Sequence, residues 1–466
     1  LAVREGFESV EHIKRYTLTG FGTDQGKTSN INALAILSGI LDKPIPKVGT
    51  TTFRPPYTPV SYGALAGLNL GDWSDPVRVT SIHDWHVENG ALFENVGQWK
   101  RPWYFPKADE SMQDALNREC LAVRNGVGVL DASTLGKIDI RGKDAAEFLN
   151  RIYTNAWLKL GIGRVRYGLM CHEDGMVFDD GTTARLGDDR FLMTTTTGGA
   201  AGVLDWLEEY LQTEWPELEV FCTSVTEQWA TVSITGPKAG ALLAKIAPEM
   251  DLAHENFPFL SFKEGVVAGI EARIFRISFT GELTYEINVP WACGLALWEA
   301  VMAAGEEFGI TPYGTESMHI LRAEKGFIIV GQETDGTTTP QDLGMDWIVS
   351  KKKPDFVGNR SFTRSDTARS DRKQLVGLLT DNPEDILPEG AQLVFDPNAA
   401  KPMPMVGHVT SSYHSATLGR SIALALVKGG HKRKGEKVFA PLEDKTVTAE
   451  IVDPVFYDKE GERLNG

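Results

Sequence analysis

Between residues 136 and 142 (GKIDIRG) apolar and polar side chains alternate, with Ile138 and Ile140 on one face, which predicts a strand with one side on a core. Residues 113–127 before it and 143–153 after it carry apolar positions at helical spacing. Residues 164–197 predict a three-strand meander. Its turns are Glu173-Asp174-Gly175 and Gly187-Asp188-Asp189, and Asp-Gly between apolar runs is a strong hairpin signal. Val203, Leu204, Leu207, Tyr210 and Leu211 mark the next helix. Alternation resumes at 230–236 and runs into Pro237, a residue suited to the first turn of a helix. Strands at 273–279 and 284–289 flank a Thr280-Gly281-Glu282 turn, and 291–308 reads as a helix. Beyond about residue 370 the chain is β-rich and punctuated by Gly and Pro, as a small terminal barrel is. Antiparallel hairpins with interspersed helices predict an α+β fold rather than a doubly wound one. No repeat of solenoid period is visible.

The first part reads differently. Residues 1–40 combine helical patterning with a Gly-rich turn, and 44–62 (PIPKVGTTTFRPPYTPVSY) are so rich in Pro and Thr that they predict a linker without regular structure. The main body is expected to begin near Asp84. A length of 466 residues predicts two or three domains. Hydrophobic residues at 42% and charged residues at 24% fit a soluble globular chain, and no apolar run approaches the ~20 residues of a bilayer span. The chain opens on Leu1 in a polar, charged stretch, which suggests a fragment or processed product rather than a secretory leader. A net charge of −16 disfavours nucleic acid as a partner. Cys120, Cys171, Cys222 and Cys293 are too dispersed for a zinc knuckle or a disulfide framework, which suits a reducing, cytoplasmic setting.

Several motifs invite chemistry. Gly22-x-x-x-Gly26-Lys27-Thr28 approaches a phosphate-binding loop, but Phe21 stands where its first Gly belongs, so a tight turn capping a helix at Ser29 is the better reading. His83 and His86 lack a nearby third ligand and read as solvated or capping residues. No G-x-G-x-x-G follows a strand and no G-x-S-x-G occurs, so flavin or nicotinamide chemistry is expected elsewhere.

The meander holds the more informative acids. Asp179 and Asp180 fall in mid-strand, so one of them faces inward, where a carboxylate is costly without a donor or cation. Tyr167 on the first strand and Thr194–Thr197 on the third supply hydroxyls. The alternative is a solvated edge pair. Glu286 repeats the pattern, opposite to the face of Tyr285, Ile287 and Val289. It is either a solvent residue or a fixed carboxylate able to accept adjacent N–H donors, such as those of a pterin.

Taken together, RYGLMCHEDGMVFDD (166–180), ATVSITGP (230–237), FTGELTYEINVP (279–290), LRAEKG (321–326) and GHVTSSYHSATLGRSIALALV (407–427) resemble the aminomethyltransferase family. That family includes the glycine-cleavage T-proteins and the folate domains of dimethylglycine and sarcosine oxidases. The resemblance runs from about residue 83 to 457. EHIKRYTLTGFGTDQGKTSNINALAI (11–36), GTTTFRPPYTPVSYGALAG (49–67) and LRAEKGFIIVGQETDGTTTPQDLGMDW (321–347) are similar to alpha subunits of heterotetrameric sarcosine oxidases.

The resemblance implies a three-lobed T-protein-like folate-binding fold over 83–370 and a C-terminal β-barrel over 371–466. Residues 1–82 would be the remnant of an upstream nucleotide-binding domain plus a linker. It further implies Asp180 as the catalytic acid, and Tyr167, Thr194 and Glu286 as residues of the tetrahydrofolate site. The expected product is 5,10-methylenetetrahydrofolate. No metal is expected. Flavin is expected in a partner beta subunit or at its interface, NAD in the upstream domain, and smaller gamma and delta subunits in the complex. Competing readings are a stand-alone aminomethyltransferase, a dimethylglycine-oxidising homologue and a non-catalytic scaffold. Met318 stands where T-proteins carry an Arg, and Phe279 where they carry a pocket Tyr. Arg322 is then expected to be structural.

Overall fold

Residues 1–22, 25–53, 61–67 and 75–465 are described by a computed structural model. They divide into two units, Leu1–Val77 and Arg78–Gly466. The first holds helices α1 (Val10–Thr17), α2 (Asn30–Leu41), α3 (Ile45–Val48) and α4 (Tyr62–Ala66), and residues of α1, α2 and α3 pack in a small cluster around Val10, Leu34 and Leu37. The stretch expected to be irregular therefore holds helical turns. Pro44 and Pro46 stand at the start of α3, where a missing N–H leaves no broken bond, and the Ser61 hydroxyl accepts from the Ala64 N–H at 3.3 Å to cap α4. Residues 54–60 lie outside the described residues, as do Thr23 and Asp24 of the Gly22–Thr28 motif. Gly26 there has a φ of +86°, and Ser29 takes the N-cap position of α2 without a side-chain cap bond.

The second unit begins with α5 (His83–Glu88) and the hairpin β1 (Leu92–Val96) and β2 (Trp99–Tyr104). Helix α6 (Met112–Asn125) follows, opened by a Ser111–Asp114 capping box. Next come β3 (Gly128–Asp131), β4 (Gly136–Arg141), α7 (Ala145–Ile152), a meander of β5 (Val165–Cys171), β6 (Val177–Gly187) and β7 (Arg190–Thr195), α8 (Ala200–Thr213) and β8 (Phe221–Ser224). The pattern then recurs as β9 (Trp229–Thr235), α9 (Ala239–Ile246), a meander of β10 (Ser261–Val267), β11 (Ile270–Arg276) and β12 (Thr284–Pro290), α10 (Gly294–Gly305) and β13 (Thr311–Pro312).

The sheet orders are β5-β6-β7-β4-β8 and β10-β11-β12-β9-β3-β13, so the two lobes share a topology. They also exchange strands. β3 precedes β4 yet pairs with β9, while β8 precedes β9 yet pairs with β4. Separating the lobes would break both ladders. Gly142 and Gly236 end the equivalent strands at φ +136° and +128°, and a Cβ at Gly142 would lie 1.9 Å from the Glu219 carbonyl oxygen. The approach of backbone to backbone leaves room only for glycine there.

Helix α11 (Thr315–Glu324) leads to a barrel of β14 (Lys373–Thr380), β15 (Gln392–Leu393), β16 (Gly407–Ser415), β17 (Arg420–Lys428), β18 (Lys437–Pro441) and β19 (Thr446–Val452). The order β15-β16-β17-β14-β19-β18 is joined at its ends by a Val394–Phe439 bridge, which hides the edges. Three expectations shift. β10 escaped the pattern because its strand is mostly half-exposed. Residues 291–308 form an α-helix flanked by short 3-10 turns, Trp291–Cys293 and Glu306–Phe308. Pro237 precedes rather than enters α9, whose N-cap is Lys238.

Buried charge ties α6 and α11 to the second lobe. Arg124, 2% exposed, pairs with Glu324 at 2.6 Å and Glu282 at 3.0 Å, and also donates to the Thr280 and Leu321 carbonyls. Arg463 donates to Glu282 from the other side. Arg322, wholly buried, pairs with Glu333 at 2.7 Å and donates to the Ser411 hydroxyl. Glu282, Glu324 and Arg322 of the recognisable motifs are thus scaffold residues. His86 is also buried, 3.2 Å from Asp131 and edge-on to Trp298, so it neither caps nor meets solvent as expected.

Candidate functional site

β6 lies inside its sheet, between β5 and β7, which rules out a solvated edge for Asp179 and Asp180. Strand alternation sends the two carboxylates to opposite faces. Asp179, 1% exposed, faces the start of α8. It accepts from the Thr196 hydroxyl at 3.1 Å and from the Asp180 N–H at 2.7 Å. A Cβ at Gly199 would meet it at 2.2 Å. Asp180 shares its face with Thr182 and Ala184, and the Tyr167 hydroxyl donates to it at 2.6 Å. Burial pushes the Asp180 carboxyl up to about 7, against the Tyr167 hydrogen bond and with help from the Asp179 charge. Burial likewise pushes Asp179 up to about 6 and the Tyr167 phenol well above its ordinary value.

Thr194 on β7 donates to the Thr182 carbonyl at 2.9 Å and accepts from the Thr182 N–H at 2.9 Å, which fixes its rotamer beside that face. Here Gly181 matters: a Cβ would sit 2.0 Å from the Thr194 carbonyl oxygen. Gly181→Ala is expected to prise β6 from β7 at a cost of about 1–3 kcal/mol, read as a lower midpoint in denaturant unfolding. An unchanged midpoint would show that the strands yield freely.

Glu286 lies on β12 of the other sheet, paired in register with Ser233 and Phe275. Its carboxylate accepts no hydrogen bond from the described residues, and burial pushes it up to about 7. It lines a narrow cavity between the two lobes. Thr182, Thr194, Thr231, Asn288 and Lys137 line the same cavity, with Leu192, Phe275 and Ile277 as apolar wall. The fold thus brings Thr194 and Glu286 to one cavity, with the Asp180–Tyr167 pair on the β6 face that continues into it.

Lys137 is the residue that the pattern hid. In GKIDIR it occupies the polar side of the alternation, which reads as a solvent face; only the approach of the second lobe leaves it 2% exposed. Its ammonium donates to the Ser133 and Leu135 carbonyls at 3.0 Å each, and burial lowers its pKa to about 8, opposed by the charge of Glu286.

The chemistry of such a site is specific. A carboxyl titrating near neutrality, held by a phenol, suits proton exchange at physiological pH. A half-buried carboxylate without a protein donor is free to accept N–H groups from a ligand. No cluster of three metal-ligating side chains occurs among the described residues. Met318, in place of an Arg, packs on the core around Leu321 and Tyr313, and Phe279 stacks on Phe327 at 6.2 Å.

Residues 82–353 match the GCVT N-terminal domain family, 373–458 the glycine cleavage T-protein C-terminal barrel domain, and 1–68 the sarcosine oxidase A3 domain. The chain is 58% identical, over all of its own length and 48% of the relative's, to sarcosine oxidase subunit alpha of Corynebacterium sp. (strain U-96). It is 30% identical to the aminomethyltransferase of Caldanaerobacter subterraneus subsp. tengcongensis, over 83% of this chain and 98% of that one. Among solved structures, the glycine cleavage system aminomethyltransferase T from Bartonella henselae superimposes with a TM-score of 0.71 at 25% identity, over 82% of this chain and 99% of its own. The chain spans about half the length of the sarcosine oxidase alpha subunits that it matches.

Proposed function

Starting from a chain that belongs to the aminomethyltransferase family, we propose that it binds tetrahydrofolate in the cavity between its two lobes and there receives a one-carbon unit. The setting we propose is the folate-binding part of a sarcosine oxidase alpha subunit. In that setting flavin belongs to a partner beta subunit or its interface, NAD to another part of the alpha subunit, and gamma and delta subunits complete a cytoplasmic complex. Oxidised sarcosine supplies the carbon, and 5,10-methylenetetrahydrofolate is the product.

The observation that carries this reading is Glu286: a half-buried carboxylate with no donor among the described residues, at a cavity wall. Its two oxygens suit the adjacent N–H donors of a 2-amino-4-oxopyrimidine ring. The folate would supply N5 and N10 as the nucleophiles that take up the carbon. Asp180, held by Tyr167, takes and returns a proton near those nitrogens, and its pKa of about 7 leaves both protonation states populated. Thr194, locked by Thr182, borders the ring. The apolar wall keeps water from a reactive imine.

Calorimetric titration with tetrahydrofolate tests it. Wild type is expected to bind in the micromolar range, and Glu286→Gln to bind at least about tenfold more weakly, since hydrogen bonds to a charged group contribute about 1.5–3 kcal/mol. Equal binding by both proteins would refute the assignment of Glu286.

A further inference from the structure

Lys137 is a lysine whose stem and ammonium are enclosed by the protein, on a strand whose buried neighbours Ile138 and Ile140 point the other way. An ammonium has three N–H donors. Two are spent on the Ser133 and Leu135 carbonyls, which hold the head of the side chain in place. The third has no acceptor among the described residues. The residue lines the same cavity as Glu286, yet the two make no ion pair within bonding distance. Each nevertheless feels the charge of the other. The cavity wall therefore presents a pinned cation with one free donor beside a carboxyl group with free acceptors, separated by a gap.

That gap has a chemical complement. One edge of a 2-amino-4-oxopyrimidine carries, in order, an amino donor, a ring N–H donor and a carbonyl acceptor. A carboxylate takes the two donors in parallel, and the acceptor next to them then needs a donor. We propose that Lys137 is a specificity-determining residue of this site, donating to the 4-oxo oxygen of the pterin while Glu286 accepts from the 2-amino and N3 groups. The inference rests on the folate reading above and adds to it the sense in which the ring is read. A 4-amino ring turns a donor toward the ammonium and a bare N3 toward Glu286, so the site rejects it on both counts: a pocket built around one hydrogen-bonding pattern discriminates by leaving buried groups unpaired against the wrong one. Lys137 is held by backbone carbonyls rather than by Glu286, so its donor is in place before the ring arrives and little is lost in ordering it.

The test compares binding of tetrahydrofolate and of its 4-amino-4-deoxy analogue to the full chain. Three proteins are titrated by calorimetry: wild type, Lys137→Met and Lys137→Arg. Wild type is expected to prefer the 4-oxo compound at least tenfold. Lys137→Met should bind the 4-oxo compound at least tenfold more weakly while binding the 4-amino compound as well as or better than wild type, so that the preference shrinks at least tenfold and only the part that Glu286 reads at N3 remains. Lys137→Arg, which restores a cationic donor, should recover most of the preference. If Lys137→Met weakens both compounds equally and the preference survives, the lysine merely pins the 133–135 turn and the proposal is wrong. If tetrahydrofolate binds wild type and Lys137→Met alike, the proposal is also wrong, while the folate reading stands. If wild type binds neither compound, the folate reading fails and takes this inference with it.

Discussion

On the proposed function, Asn in place of Asp180 is expected to cut formation of 5,10-methylenetetrahydrofolate in a complex with the flavin subunit about 10²–10⁴-fold, the usual contribution of a positioned proton carrier. Amine oxidation, followed as peroxide, should continue almost unchanged, because Asp180 and its Tyr167 partner lie within this chain's own cavity region. Equal loss of both products would remove the chemistry from this domain. The pH dependence has a definite sign. With a folded pKa of about 7, Asp180 is largely protonated at pH 6 and ionised at pH 8, so a step that needs the carboxylate should rise through neutrality in wild type and lose that limb in Asp180→Asn.

The same substitution should stabilise the fold. The folded carboxyl titrates at about 7, whereas an exposed Asp does so at about 4, so folding disfavours the ionised form. That cost is absent below about pH 4, grows between about 4 and 7, and is complete above 7. Asn carries none of it. The variant should therefore unfold at higher denaturant than wild type at pH 8, by on the order of 2 kcal/mol, with little difference at pH 4. A difference that does not vary with pH would show that the Asp180 carboxyl titrates normally.

The second large effect concerns Arg124. Its guanidinium satisfies Glu282 and Glu324, both fully buried, and lies 4.3 Å from the Tyr457 ring centroid. Removing one partner of a buried ionic network strands the others, at about 3–5 kcal/mol. Arg124→Met is expected to lose that much in urea unfolding. Adding Glu282→Gln and Glu324→Gln to it should recover part of the loss, because neutral amides need less compensation. A loss below about 1 kcal/mol in the single variant would mean that water replaces the guanidinium.

Which parts of this were legible in the chain follows from what kind of physics made them. The meander of β5, β6 and β7 was visible because turn chemistry and side-chain alternation are local, and both turns lie where Asp174-Gly175 and Gly187-Asp188 predict them. The mid-strand position of Asp179 and Asp180 followed from the same pattern. β10 was not visible, since a half-exposed outer strand imposes little periodicity. The helical turn at Ile45–Val48 was masked by prolines that read as breakers but stand where a helix tolerates them.

The relation between the lobes was out of reach altogether. Nothing near β3 or β8 announces that each completes the other lobe's sheet, because pairing between strands so distant in the chain leaves no local trace. The same holds for charge. Glu286 was open to a solvent or a pocket reading, and Lys137 drew no reading of its own, until the faces of β4 and β12 met across one cavity. Alternation along a strand decides which residues share a side, and that information is in the chain itself. Whether that side meets water or another sheet is a property of packing, and burial is what turns an ordinary lysine and glutamate into a fixed donor and a fixed acceptor.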